Sequence, residues 1–207
     1  MWSWLLVGLS GLIHISTANH ENKRLSYVFK PITLLLLLAI LVVSGREQAQ
    51  FFWVAAGLIL SICADFFWSR PKAKVKAAFT TFIFAFLCYS KALWLPFSGE
   101  ISWWLPALLF ATGVMVVLLL LPKLDTVVVP VSIMGVILVQ MVWASTAVWL
   151  LEPTTTHLYA CIASCIFILA TLVRALNIYR TSAIRADLLS TAGLFLGQAF
   201  IVASVIA

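Results

Sequence analysis

An aspartate inside an apolar segment is the residue best suited to chemistry in this sequence. Asp65 ends the run GLILSICAD at 57–65, and Ser61 lies four residues before it. Residues four apart share a helix face, which predicts that the Ser61 hydroxyl lies beside the carboxyl. Asp65 is therefore a candidate catalytic residue that donates or accepts a proton, with Ser61 orienting it. The alternative is an ion pair with Arg70 or Lys72 at the membrane interface.

Other polar residues border or interrupt the apolar segments. Lys30 opens the second segment just before Pro31, and Arg185 and Asp187 introduce the last one. Lys30 could grip a lipid phosphate, or it could be an anchor whose ammonium reaches the interface. Asp187 also suits the first turn of a helix, where a carboxylate is stabilised by the helix dipole. Gln198 lies within the last segment, where an amide either ties helices together or binds the hydroxyls of a glycerol group.

Eight apolar stretches must position these residues. They run approximately Trp2–Ala18, Val28–Ser44, Phe51–Trp68, Val75–Pro96, Trp103–Leu121, Thr126–Leu150, Thr156–Ile178 and Leu188–Ala207. Hydrophobic residues make up 64% of the chain and charged residues 10%, and the mean hydropathy is +1.12. A transmembrane helix needs about 20 such residues, and in lipid a continuous apolar run must be helical. We expect an all-α polytopic membrane protein, a single bundle of about eight helices forming one domain over residues 1–207.

The basic residues indicate the orientation of the chain. Almost all of them fall in loops on one side of the predicted bundle, at Lys23, Arg24, Lys30, Arg70, Lys72, Lys74, Lys76, Lys123, Arg174, Arg180 and Arg185. The positive-inside rule then places these loops in the cytoplasm and both termini outside it. We expect location in the plasma (inner) membrane. A net charge of +6 distributed in this way argues against nucleic-acid binding.

Two further patterns concern packing and metals. Gly193 and Gly197 form a GxxxG pair, which predicts close approach of another helix to the last one. The three histidines form no HxxxH or HExxH arrangement. Zinc chemistry is therefore not expected.

Taken in order, these residues resemble the YhhN family of integral membrane proteins over nearly the full length. The matching segments are Phe29-Lys30-Pro31 with Thr33, Gly57 with Ser61 and Asp65, Tyr89, Pro130 with Met141-Val142-Trp143, Arg185-Ala186-Asp187, and Gly197-Gln198. The characterised members of this family are lysoplasmalogenases with eight helices. The resemblance implies cleavage of the vinyl ether bond of a lysoplasmalogen to a fatty aldehyde and a glycerophospho-alcohol, without a metal or an organic cofactor.

The resemblance also assigns roles. It makes Asp65 the proton donor and Ser61 its orienting group, with Lys30 and Arg185 on the substrate phosphate. Tyr89 and Gln198 are further substrate-binding candidates, and Asp187 could stand in for a second carboxylate. The chain departs from the family at two places, where a common His is Phe86 and a common Ser-Asp pair reads Leu169-Ala170-Thr171.

Those departures keep a second interpretation open, that of a non-catalytic protein that binds lipid or organises it within the membrane. A small transporter ranks third, because the outer halves of the helices look poor in polar groups and no broken-helix repeats are evident. The sequence does not indicate an oligomeric state.

Overall fold

Eight α-helices make up almost all of the chain that the computed structural model describes. It describes residues 2–18, 23–44, 49–68, 75–99, 103–120, 128–176 and 184–206, with the side chains of 4–13, 31–44, 49–68, 77–99, 103–115, 129, 132–176 and 188–206. The helices are α1 (Trp2–Ala18), α2 (Lys23–Ser44), α3 (Ala49–Trp68), α4 (Val75–Trp94), α5 (Trp104–Leu120), α6 (Val128–Leu151), α7 (Thr155–Leu176) and α8 (Ile184–Ile206). The predicted all-α polytopic fold is confirmed.

Two helices begin earlier than their apolar segments. α2 starts at Lys23 rather than Val28, and α8 starts at Ile184 rather than Leu188. Hydropathy locates only the apolar part of a helix. The polar residues before Val28 and Leu188 continue the helix because no helix-breaking residue interrupts them. Pro31 consequently lies inside α2 and not at its boundary, where its ring removes one backbone hydrogen bond.

Five helices are each long and apolar enough to cross a bilayer within the described residues. They are Ala49–Trp68, Ala77–Trp94, Ser132–Leu151, Thr155–Leu176 and Leu188–Ile206, while the apolar parts of α1, α2 and α5 are shorter there. Large apolar side chains such as Leu12, Val43 and Phe52 are well exposed on the helix surfaces. Such a surface suits lipid and not water, so the chain is an integral membrane protein.

The helices pack mainly as sequence neighbours. The most extensive contacts join α7 to α8 and α3 to α4, whereas α4 packs on α6. The close approach predicted at α8 is confirmed, since a Cβ added at Gly193 would lie 2.7 Å from the Cβ of Ala170 on α7. A buried hydrogen bond of 2.6 Å between the hydroxyls of Ser145 and Ser164 joins α6 to α7. Apolar association is weak in lipid, so small residues and such hydrogen bonds hold the bundle together.

The interior contains one continuous group of buried side chains contributed by most of the helices. Its largest fully buried members are Tyr89, Phe167, Leu34, Leu37, Leu41, Leu58 and Met141. Tyr89 is the bulkiest of these seven side chains, and it is the one among them that carries a hydroxyl. This hydroxyl lies beside Ser61 in the interior of the bundle.

Candidate functional site

A chain of hydrogen bonds links α3 to α4 at the centre of the bundle. The Ser61 hydroxyl donates to the carbonyl oxygen of Gly57, one turn earlier, at 2.8 Å. It also lies 3.2 Å from the Tyr89 hydroxyl. A serine has one proton to give, so when Ser61 donates to the carbonyl, Tyr89 donates to Ser61. The tyrosine hydroxyl then keeps its lone pairs for another donor.

The Tyr89 ring is enclosed by neighbours on α3 and α7. The ring of Phe167 stacks on it at 5.8 Å between centroids and 13° between planes. Gly57 lies on α3 beside the ring, and a Cβ added there would overlap the ring atoms. Because Tyr89 and Phe167 are both fully buried, the hydroxyl is fixed in position by packing and not only by its hydrogen bond.

Asp65 lies one turn beyond Ser61 on the same helix, as the spacing predicts. Its side chain is buried, with 6% of its surface exposed. It lies close enough to the Tyr89 hydroxyl to interact with it electrostatically. Asp65 and Ser61 are thus both buried on one face of α3, and the Tyr89 hydroxyl approaches this face from α4. Their catalytic roles stay predictions.

Gln198 approaches the same hydroxyl from α8. Its side chain interacts with the Tyr89 hydroxyl and is 4% exposed. Its amide oxygen is buried and has no hydrogen-bond partner among the described residues. Buried amide oxygens are usually paired, since an unmet acceptor costs about 1–3 kcal/mol. Gln198 therefore offers an acceptor to a donor that the described residues do not supply.

The two departures from the family pattern are placed differently: Phe86 packs at this centre, whereas Leu169 on α7 is an exposed side chain. Phe86 is 2% exposed and meets the Phe167 ring edge to face at 5.1 Å, so an aromatic hydrocarbon occupies the place of the common histidine. On α7, Ala170 is buried against α8 and Thr171 has a buried hydroxyl without a hydrogen-bond partner among the described residues. Helix α7 has no Asp or Glu, so it brings no second carboxylate to the Asp65 centre.

Arg174 was missed as a site residue by the sequence argument, which treated it as a loop charge. Its guanidinium carbon lies 4.3 Å from the centroid of the Trp68 ring and 5.7 Å from that of Phe82. Trp68 follows Asp65 by three residues on α3, so Arg174 lies at the same end of the bundle as the carboxyl. The signal that could have found it is its place inside the predicted seventh segment, where a charge calls for a functional explanation.

Three predicted substrate-binding residues cannot be placed against this centre. The side chains of Lys30, Arg185 and Asp187 lie outside the described ones, and their roles stay predictions. Among the described residues, no group of three or more His, Cys, Asp or Glu could hold a metal ion.

Comparison with known proteins gives relatives of the same length. The model of the YhhN family matches residues 25–205. The "Uncharacterized membrane protein YhhN" of Escherichia coli O6:H1 is 26% identical over 206 residues, covering 99% of both chains. Proteins of the same description from Escherichia coli O157:H7 and Shigella flexneri match equally well. No solved structure matches this chain.

Proposed function

The chain belongs to the YhhN family of membrane proteins, and we propose that it is a hydrolase that cleaves the vinyl ether bond of lysoplasmalogens or of a related lysolipid ether. The observation that carries this proposal is a buried carboxyl, Asp65, grouped with the hydrogen-bonded Ser61 and Tyr89 in the interior of a membrane bundle. A vinyl ether needs a proton donor and a water molecule, and this centre supplies the first in an apolar surrounding.

The reaction requires one group that first gives a proton and then takes one back. Asp65 protonates the β-carbon of the alkenyl chain, and the electrons of the double bond form the new C–H bond. The resulting oxocarbenium ion is captured by water, whose proton passes to the Asp65 carboxylate. The hemiacetal then breaks its bond to the glycerol oxygen, which receives the hydroxyl proton, and fatty aldehyde and glycerophospho-alcohol leave. One carboxyl performs both transfers, so the cycle does not require a second acid on α7.

Two described residues suit the rest of such a substrate. The unpartnered amide oxygen of Gln198 would accept a hydrogen bond from the free glycerol hydroxyl of a lysolipid. Arg174 lies at the end of the bundle nearer Asp65, and its planar guanidinium is a good partner for phosphate. Lys30 and Arg185 remain further candidates for the phosphate. This assignment fits an orientation with that end in the cytoplasm and with both termini outside, in the plasma membrane.

The direct test is release of fatty aldehyde by the purified protein in liposomes. The substrate is a 1-alkenyl lysophosphatidylethanolamine, and the controls are the 1-alkyl and 1-acyl lipids with the same head group. We expect aldehyde from the alkenyl lipid alone, because only a vinyl ether becomes an oxocarbenium ion on protonation. Failure of a folded preparation to release aldehyde from the alkenyl lipid would reject the proposal.

Replacement of Arg174 should affect binding of the phosphate rather than the chemistry. Arg174→Gln removes a charge-assisted contact, and we expect KM to rise about tenfold or more with kcat within about twofold. Arg174→Lys keeps the charge but loses the planar contact with Trp68, so its KM should be intermediate. Steady-state kinetics of aldehyde release on the alkenyl lysolipid measures both parameters.

Two controls test whether Arg174 binds the substrate phosphate. One is a substrate without phosphate, and the other is a variant at a different basic residue. An alkenylglycerol without phosphate should be hydrolysed equally well by the parent protein and by Arg174→Gln. Lys91→Gln removes a charge from an exposed side chain on α4 and should change neither parameter. Equal loss of activity on both substrates would mean that Arg174 supports the fold and does not bind phosphate.

A second candidate function is favoured by Phe86 and by the lack of a carboxylate on α7. A protein with this centre could bind a lysolipid in the bundle without cleaving it. Binding of the alkenyl lysolipid without aldehyde release would support that function.

A further inference from the structure

A cavity of about 210 Å³ lies at the end of the bundle opposite Asp65. It is bounded by the start of α3, the end of α4, the last part of α6, the start of α7 and the end of α8. The side chains that matter for its chemistry are Gln50, Ser145, His157 and Ser204, set among apolar walls that include Leu93 and Ile201. On the predicted orientation this is the outer end of the bundle, where the sequence had suggested few polar groups.

Most polar side chains of this outer cavity direct a proton to a backbone carbonyl, whereas the Thr156 hydroxyl is paired with that of Thr154 at 2.8 Å. Gln50 donates from Nε2 to Ala92 at 3.3 Å, and Ser204 donates to Ile201 at 2.8 Å. The Ser145 hydroxyl is already paired, since it lies 3.1 Å from the Val142 carbonyl oxygen and 2.6 Å from the Ser164 hydroxyl. A hydroxyl has only one proton, so Ser204 retains acceptor lone pairs, and Gln50 keeps its amide oxygen and one N–H.

His157 shows the same pattern and adds a nitrogen acceptor. Its Nδ1 lies 2.8 Å from the carbonyl oxygen of Glu152. A carbonyl can only accept, so Nδ1 carries the proton and Nε2 of the neutral ring carries a lone pair. The backbone N–H of His157 is itself occupied, with the Thr154 hydroxyl as acceptor at 3.3 Å.

We infer that the outer cavity binds a neutral glyceryl group, whose adjacent hydroxyls donate to His157 Nε2 and to the oxygens of Ser204 and Gln50. The Ser204 oxygen and His157 Nε2 of the neutral ring can only accept, and Gln50 adds an amide oxygen to its one remaining N–H, so the cavity favours a ligand rich in donors. No Asp, Glu, Lys or Arg is among the described residues that line the cavity, so a charged head group would lose its hydration without a counter-charge. The volume is below the roughly 300–1,000 Å³ of pockets for drug-sized ligands, which limits the occupant to a few heavy atoms.

This cavity is separate from the Asp65 centre and does not depend on the proposed hydrolysis. Val54 lines it and Ser61 does not, and these residues are seven apart on α3, or about 10 Å along the helix. The buried side chain of Leu58 lies in the intervening turns of α3. The glyceryl group could belong to a monoacylglycerol whose chain lies in the bilayer, or to free glycerol.

The test is binding of radiolabelled 1-monooleoylglycerol to the full chain in phosphatidylcholine nanodiscs. We expect saturable binding that oleoyl lysophosphatidic acid and oleylamine displace at least tenfold less effectively than unlabelled monooleoylglycerol. Displacement by millimolar glycerol would identify a free polyol as the ligand, and no displacement would identify the lipid head group. Equal or better displacement by the anionic or the cationic lipid would overturn the inference.

Variants locate the binding in the outer cavity. His157→Phe and Ser204→Ala each remove an acceptor and should weaken binding about fivefold, and Ala160→Leu should block it by filling the space. Glu152→Gln is the matched control, because it changes an exposed side chain near His157 and leaves its carbonyl in place. If His157→Phe proves unstable, Ser204→Ala and Ala160→Leu still test whether this cavity is the binding site. Unchanged affinity for monooleoylglycerol in both variants would rule it out.

Discussion

Asp65→Asn should lower kcat for aldehyde release by at least about 100-fold while the protein stays folded and abundant in the membrane. Asparagine has nearly the size of aspartate and still forms hydrogen bonds, but it has no acidic proton to give to carbon. Positioned acid and base groups contribute about 10²–10⁴-fold to such steps. The rate of aldehyde formation from an alkenyl lysolipid, measured by mass spectrometry, is the readout.

A labelling experiment tests the same proton transfer without a mutation. In D₂O the aldehyde should carry one deuterium on the carbon next to the carbonyl, since that carbon receives the Asp65 proton. Glu152→Gln is a suitable control, because it removes an exposed carboxylate outside the centre and should leave turnover unchanged. An Asp65→Asn protein with parental turnover would remove Asp65 from the mechanism.

The second large effect is expected from Gly57→Ala, which adds one methyl group beside the Tyr89 ring. Its Cβ would lie 2.6 Å from Cδ1 of Tyr89, and the fully buried ring, stacked on Phe167, has little room to move. We expect α3 and α4 to be pushed apart, with a loss of about 1–3 kcal/mol in the free energy of unfolding and reduced turnover. Thermal unfolding in detergent measures the first effect and aldehyde release the second.

Gly8→Ala provides the matched control for this substitution. A Cβ at Gly8 on α1 meets nothing within 4 Å, so alanine there should stabilise the helix by up to about 1 kcal/mol. Combining Gly57→Ala with Tyr89→Leu removes the ring that is struck, and the two losses should be strongly non-additive. Identical melting temperatures for Gly57→Ala and Gly8→Ala would contradict the packing described for Tyr89.

The sequence predicted one part of the candidate site well, the pair on a single helix. Ser61 and Asp65 share a face because the helical period of 3.6 residues requires it. The partners from other helices were predicted only by resemblance to the family, as for Tyr89 and Gln198. Arg174 was counted with the loop charges although it lies inside the predicted seventh segment, and the structure places it in the last turn of α7 against Trp68.

By itself, the sequence determined that this chain is a helical membrane protein, and it located the helices to within a few residues over most of their length. Both results depend on local properties, namely the length of apolar runs and the helical requirement of a backbone in lipid. The tertiary structure decided which face of each helix turns inward. Hydropathy does not contain that information, because lipid chains are as apolar as the leucines of the core. Packing of Gly57 against Tyr89 and of Gly197 against Phe167 is what brings residues of four helices together around one hydroxyl.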